Sequence, residues 1–174
     1  MNESLLLNML KKEHASNIQG FNAFGFGYLG IVDNDQILIF QKPIAREVSR
    51  VLAPLPKVEI VKCYLGMNPA LISGIEGEAD GIILEGMGRG QVPPELIGAI
   101  EKAVQQGVTV VLTTTSEEGK VYPTYDYPGS SYDLMNKGVI LGSDYDSKKA
   151  RIKLMVLLSA KMDVKRGFLN EIRA

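Results

Sequence analysis

The chain has 174 residues, 45% hydrophobic and 22% charged, which suits one ordinary globular domain and excludes a disordered or collagen-like chain. Its 19 basic and 20 acidic residues leave a formal charge of −1, so no electrostatic footprint argues for nucleic acid. No stretch approaches the roughly 20 apolar residues of a membrane helix, and no cationic amphipathic run points to a membrane surface.

In chain order, the opening MNESLLLNMLKKEHASN is not expected to be a signal peptide. Glu3 interrupts a short apolar run, and no small-residue cleavage site follows. Residues 20–40, GFNAFGFGYLGIVDNDQILIF, are glycine-rich and carry strand pattern on both sides of Asp33-Asn34-Asp35, which predicts a β-hairpin there. REVSRVLAPLPK, with two prolines, reads as a connector. Residues 1–56 hold too little apolar material for their own core, so this arm is expected to need a partner surface.

Residues 57–160 repeat one unit. KVEIVKCYL (57–65) reads as a buried strand, and PALISGIEGEA (69–79) as a helix opening at Pro69. GIILEG (81–86) is the next strand. PPELIGAIEKAVQQ (93–106) sets Leu96, Ile97, Ile100, Ala103 and Val104 on one helix face, with Gly107 as the stop. VTVVLTTT (108–115) is a third strand and GVIL (138–141) a short fourth. Ser147 is expected to cap the helix KKARIKLMVLLSA, and a last helix is predicted near 163–172. Continuous apolar strands alternating with amphipathic helices predict an α/β fold: a four-stranded parallel, doubly wound (Rossmann- or flavodoxin-like) domain over 57–174, preceded by a β-hairpin arm over 1–56.

Few residues suggest chemistry. The strand–Gly86-Met87-Gly88-Arg89-Gly90-Gln91–helix passage has two open readings, an anion site made from helix N–H groups or a tight turn with no ligand. It lacks the third glycine of the dinucleotide fingerprint and the Gly-Lys-Ser/Thr of a P-loop, so no cofactor is expected. Thr113, Thr114 and Thr115 form a hydroxyl cluster that a β-branched strand end explains without function. His14 lies in the arm with no plausible serine nucleophile, and one histidine with one cysteine is too few for a zinc site, so no metal is expected. Asp144 and Asp146 stand where acids cap a helix. Cys63, inside an apolar run, reads as a buried inert thiol, in keeping with a reducing cytoplasm. VYPTYDYPGSSYDL (121–134) reads as a packed surface loop whose tyrosines also suit an interface.

These residues resemble a known family, the bacterial-type L-asparaginases. DGIILEGMGRGQVPPEL is similar to that family's G-x-G-x-G-N turn followed by prolines. GVTVVLTTTSEEGKV, the Y-x-x-G loop with its following G-V-I, and SKKARIKLMVLLSA match further stretches of its C-terminal domain. The segment from MNESLLL to GIVDND resembles the end of its N-terminal domain and the start of the linker.

The resemblance implies the second half of an asparaginase or asparaginase-glutaminase, with 1–56 a remnant of the N-terminal domain. The family's T-G-G-T and G-T-D-T stretches, which carry its catalytic threonines, do not occur here, so no catalytic residue is assigned. Met1 stands at a position internal in the family, and a truncated, catalytically incomplete product is expected. What the resemblance leaves is support: a pairing surface for a homo-dimer or tetramer, and Gln91, at the family's asparagine position, at the edge of a partner's substrate site. Gly86, Gly88 and Gly90 are expected to shape that turn. The partners implied are another copy or the missing N-terminal domain, with a small amide as substrate only in an intact enzyme. Two alternatives are a non-catalytic amide- or anion-binding regulatory module and the asparaginase-like component of a tRNA-dependent amidotransferase.

Overall fold

A computed structural model of the chain describes residues 2–5, 10–17, 20–42, 49–51, 54–75 and 77–169. The chain divides into two compact units, residues 1–48 and 49–174.

The first unit is antiparallel. Strands β1 (Asn2–Leu5), β4 (Tyr28–Asp33) and β5 (Gln36–Ile39) form a sheet in the order β1-β4-β5, while β2 (Lys11–Lys12) pairs with β3 (Phe21–Asn22). The β4–β5 hairpin closes on the Asp33–Gln36 pair. Its two turn residues, Asn34 and Asp35, have φ of 46° and 60°. Asn and Asp tolerate that left-handed backbone, and such a turn matches the strand twist. The hairpin therefore lies where the sequence placed it. All four residues of β5 are exposed, Ile37 at 73% and Ile39 at 62%, so the unit leaves apolar side chains outside any core of its own.

The second unit is built on a four-stranded, all-parallel sheet: β6 (Val58–Lys62), β7 (Gly81–Gly86), β8 (Thr109–Thr114) and β9 (Ile140–Leu141), lying in chain order. Right-handed crossovers that all step the same way place their helices on one face. That face carries α1 (Ala70–Ser73), α2 (Ile97–Gln105) and α3 (Ser131–Asn136). There Ile72, Leu96, Ile100 and Leu134 pack on Ile82, Leu84, Val110 and Leu112. The alternate strand residues Val58, Ile83 and Val111 face the other way, against Ala150, Leu154 and Leu157 of α4 (Ser147–Ser159) and Phe168 of α5 (Val164–Phe168). Both faces are covered, which explains strands that read as unbroken apolar runs. The parallel α/β architecture expected from the sequence is the one found.

Four local expectations need correction. The helix expected over 69–79 is a single turn, because Gly74 and Gly77 lower its propensity and Ile72 is its one buried anchor. The stretch 121–134 is not wholly a loop. Ser130 caps α3 by accepting from Asp133 N–H at 3.1 Å, while Asp133 accepts from Gly129 N–H at 2.9 Å. The cap of α4 is Asp146, which accepts from Lys149 N–H at 3.0 Å, and not Ser147, whose hydroxyl is engaged elsewhere. The last helix ends at Phe168, and residues 170–172 of its expected range lie outside the described residues.

The helix expected over 93–106 begins as a 3-10 turn, Pro94–Leu96, before α2. Gly107, with φ of 87°, ends α2, and the N–H groups of Gly107 and Val108 close back on Val104 and Ala103.

Candidate functional site

At the carboxyl edge of the sheet, β7 runs into the Gly86–Gln91 turn and β8 into the loop that opens at Ser116. Met87 and Gln91 exchange two backbone hydrogen bonds of 2.8 Å, and Gly90 N–H also donates to Met87 O at 2.9 Å. The amides of Met87, Gly90 and Gln91 thus close the turn on itself, and Val92 N–H goes to Gly129 O. Helix α2 begins only after Pro93 and Pro94. These bonds make the passage a tight turn.

Each glycine has a reason to be there. Gly88 and Gly90 have φ of 49° and 95°, and a Cβ on Gly90 would lie 2.8 Å from Val121 Cγ1 and 2.9 Å from Leu112 Cδ2. Gly86 keeps an ordinary φ, but a Cβ there would meet Gln91 O at 2.9 Å. The strand end clasps this turn from below. Thr115 N–H donates to Gly86 O at 2.8 Å, and Thr114 Oγ1 donates to Gly88 O at 2.5 Å while accepting from Ser116 N–H at 3.0 Å. Thr113 instead turns to the opposite face and donates to Leu84 O at 3.2 Å.

Gln91 is half-buried, with its side chain folded back over Gly88. It lines an open depression of about 520 Å³ together with Gly88, Arg89, Ser116, Glu118, Gly119, Lys120 and Tyr125. Two cations, one carboxylate, an amide and a phenol therefore border a single hollow. Beside it Tyr122, Tyr125 and Tyr127 are each about half exposed, and the rings of Tyr125 and Tyr127 stand 6.1 Å apart. Exposed aromatic side chains of this kind suit a contact surface.

On the sheet's other face the sequence reading missed a polar group. Glu85 breaks the apolar pattern of β7 and sits in register with Lys62 and Thr113. Its Oε2 accepts from Ser147 Oγ at 2.5 Å, and Lys62 Nζ lies 3.6 Å from Oε1. The acid in an otherwise apolar strand was the available signal. Cys63 is 2% exposed, and burial, with Glu85's charge adding to it, pushes its thiol up to about 12. The inert reading of this thiol is what that environment produces.

His14 accepts from the N–H groups of Ser16 and Asn17 and so closes a turn in the first unit. Among the described residues, no three His, Cys, Asp or Glu stand together to hold a metal ion. Also among them, no helix is long and apolar enough to cross a membrane.

Residues 57–167 match the model of the glutaminase/asparaginase C-terminal domain. The chain is similar to an L-asparaginase of Bacillus licheniformis, 59% identical over 87% of this chain and 47% of that protein. It is 31% identical to a probable L-asparaginase of Deinococcus radiodurans, over 90% of this chain and 50% of the relative. A component of the glutamyl-tRNA(Gln) amidotransferase of Halobacterium salinarum is 34% identical over 86% of this chain and 38% of its own length. The chain spans about half the length, or less, of these curated relatives.

Proposed function

Because the chain belongs to the glutaminase/asparaginase family through its C-terminal domain, we propose that it is the C-terminal part of an L-asparaginase-type amidohydrolase. The observation that carries this reading is the 59% identity to the Bacillus licheniformis L-asparaginase across most of the chain. In the intact enzyme, the side-chain amide of L-asparagine is hydrolysed to L-aspartate and ammonia. A threonine attacks the amide carbon, backbone N–H groups stabilise the oxyanion, ammonia leaves, and water then releases the acyl group.

This chain contributes to that reaction without supplying the nucleophile, since neither T-G-G-T nor G-T-D-T occurs in its sequence. Its 57–174 domain provides a pairing surface, which the exposed tyrosines support, and sets Gln91 at the edge of a partner's substrate site. Residues 1–56 are arm and linker. The partner is a second copy, in a dimer or tetramer, or an asparaginase N-terminal half, and the working compartment is the cytoplasm. The test is ammonia release from asparagine. The chain alone stays at background, and mixing it with the N-terminal half of the Bacillus licheniformis enzyme restores turnover. Clear turnover by the chain alone sinks this reading.

Similarity to the amidotransferase component of Halobacterium salinarum supports a second reading, in which the same half releases ammonia for a tRNA-dependent reaction. The higher identity to an L-asparaginase and the near-neutral charge favour the first.

A further inference from the structure

We infer that Thr114 is the positioning residue of this site, a hydroxyl that fixes the two walls of the hollow relative to each other. Its Oγ1 donates to Gly88 O at 2.5 Å on the turn that carries Gln91. The same oxygen accepts from Ser116 N–H at 3.0 Å, at the root of the loop that carries Lys120 and Tyr125. One side chain, 9% exposed, thus bonds to both walls at once. Gly88, with φ of 49° and no side chain of its own to pack, has this carbonyl contact to hold its peptide in place. Valine has nearly the same shape but can do neither job, whereas serine can do both.

The inference rests on the reading of Gln91 as a substrate-edge residue, and its test separates the two. In the 174-residue chain, Thr114→Val shifts the amide NMR resonances of Gly88, Arg89 and Ser116 together with the Gln91 side-chain amide, and Thr114→Ser returns them towards their original positions. If Thr114→Val does not fold, Thr114→Ala is read in its place. In the enzyme assembled with the Bacillus licheniformis N-terminal half, Thr114→Val raises the KM for asparagine on the order of tenfold with a smaller change in kcat, and Thr114→Ser restores it. Unmoved resonances in the folded variant overturn the clamp. A KM sensitive to Gln91→Ala but not to Thr114→Val also overturns the inference and leaves the reading of Gln91 standing. A KM sensitive to neither overturns the reading beneath it.

Discussion

Ser147 Oγ donates a 2.5 Å hydrogen bond to Glu85 Oε2, tying the first turn of α4 to the carboxyl end of the central strand β7. The Glu85 side chain is only 18% exposed, so its charge relies on that hydroxyl and on Lys62 at 3.6 Å. Removing the hydroxyl leaves a carboxylate oxygen short of a partner. Ser147→Ala should therefore lower stability by about 1.5–3 kcal/mol, the usual worth of a hydrogen bond to a charged group. A urea titration of the single variants and of the double variant with Glu85→Gln checks it. Simple additivity of the two losses would mean that the pair is not coupled.

Two glycines near one another in sequence should respond oppositely to alanine. At Gly90 a methyl meets Val121 and Leu112 inside 3 Å on a backbone with φ of 95°. Gly90→Ala should cost more than about 1 kcal/mol. Gly98 sits exposed in α2 with nothing within 4 Å of an added Cβ. Gly98→Ala should stabilise by about 0.5–1 kcal/mol through helix propensity. Thermal melts of both variants decide this, and equal effects would contradict the turn geometry.

Acid should weaken the second unit through its helix caps. Burial opposes the charge of Asp133, but the Gly129 N–H and the Lys137 ammonium outweigh it and hold its carboxyl below the ordinary carboxylate range. Burial likewise opposes Asp146, and the Lys149 N–H and ammonium hold it below the ordinary carboxylate range as well. The unfolded chain protonates these carboxyls at a higher pH than the folded one. Their contribution is thus present above the ordinary carboxylate pKa and is lost as pH falls through the depressed values. The urea midpoint should drop more steeply between about pH 5 and pH 3 in the parent chain than in Asp133→Asn/Asp146→Asn. Parallel curves would show that these caps carry no such linkage.

The sheet was legible because neighbouring residues such as Ile82 and Ile83 must both be apolar when each face is covered. The hairpin was legible from Asp33-Asn34-Asp35, since turn chemistry is local. Helix α1 was over-read because its apolar spacing continues past Gly74, while α3 was hidden by the tyrosines and prolines before Ser130. Assigning the α4 cap to Ser147 failed because its hydroxyl is claimed by Glu85, a residue 62 positions away. The glycine spacing marked the turn that carries Gln91, but not Thr114, whose bond to Gly88 spans 26 positions. No local pattern encodes such a contact.

The assignment of Gln91 is itself open to measurement. Its backbone closes the turn through the paired bonds with Met87, and those bonds survive truncation of the side chain. The side chain lies half-buried over Gly88 at the rim of the hollow and fills no part of the core. Gln91→Ala should therefore change the melting temperature of the chain by little, within the roughly 0.5 kcal/mol typical of surface positions. In the enzyme assembled with an asparaginase N-terminal half, the same change removes an amide from the edge of the proposed substrate pocket, and on that proposal kcat/KM for asparagine should fall. Gln91→Asn keeps the amide on a side chain one methylene shorter, the form that the family's turn carries, and should retain most activity. A loss of stability with unchanged activity per folded molecule would make the turn purely structural and remove Gln91 from the site.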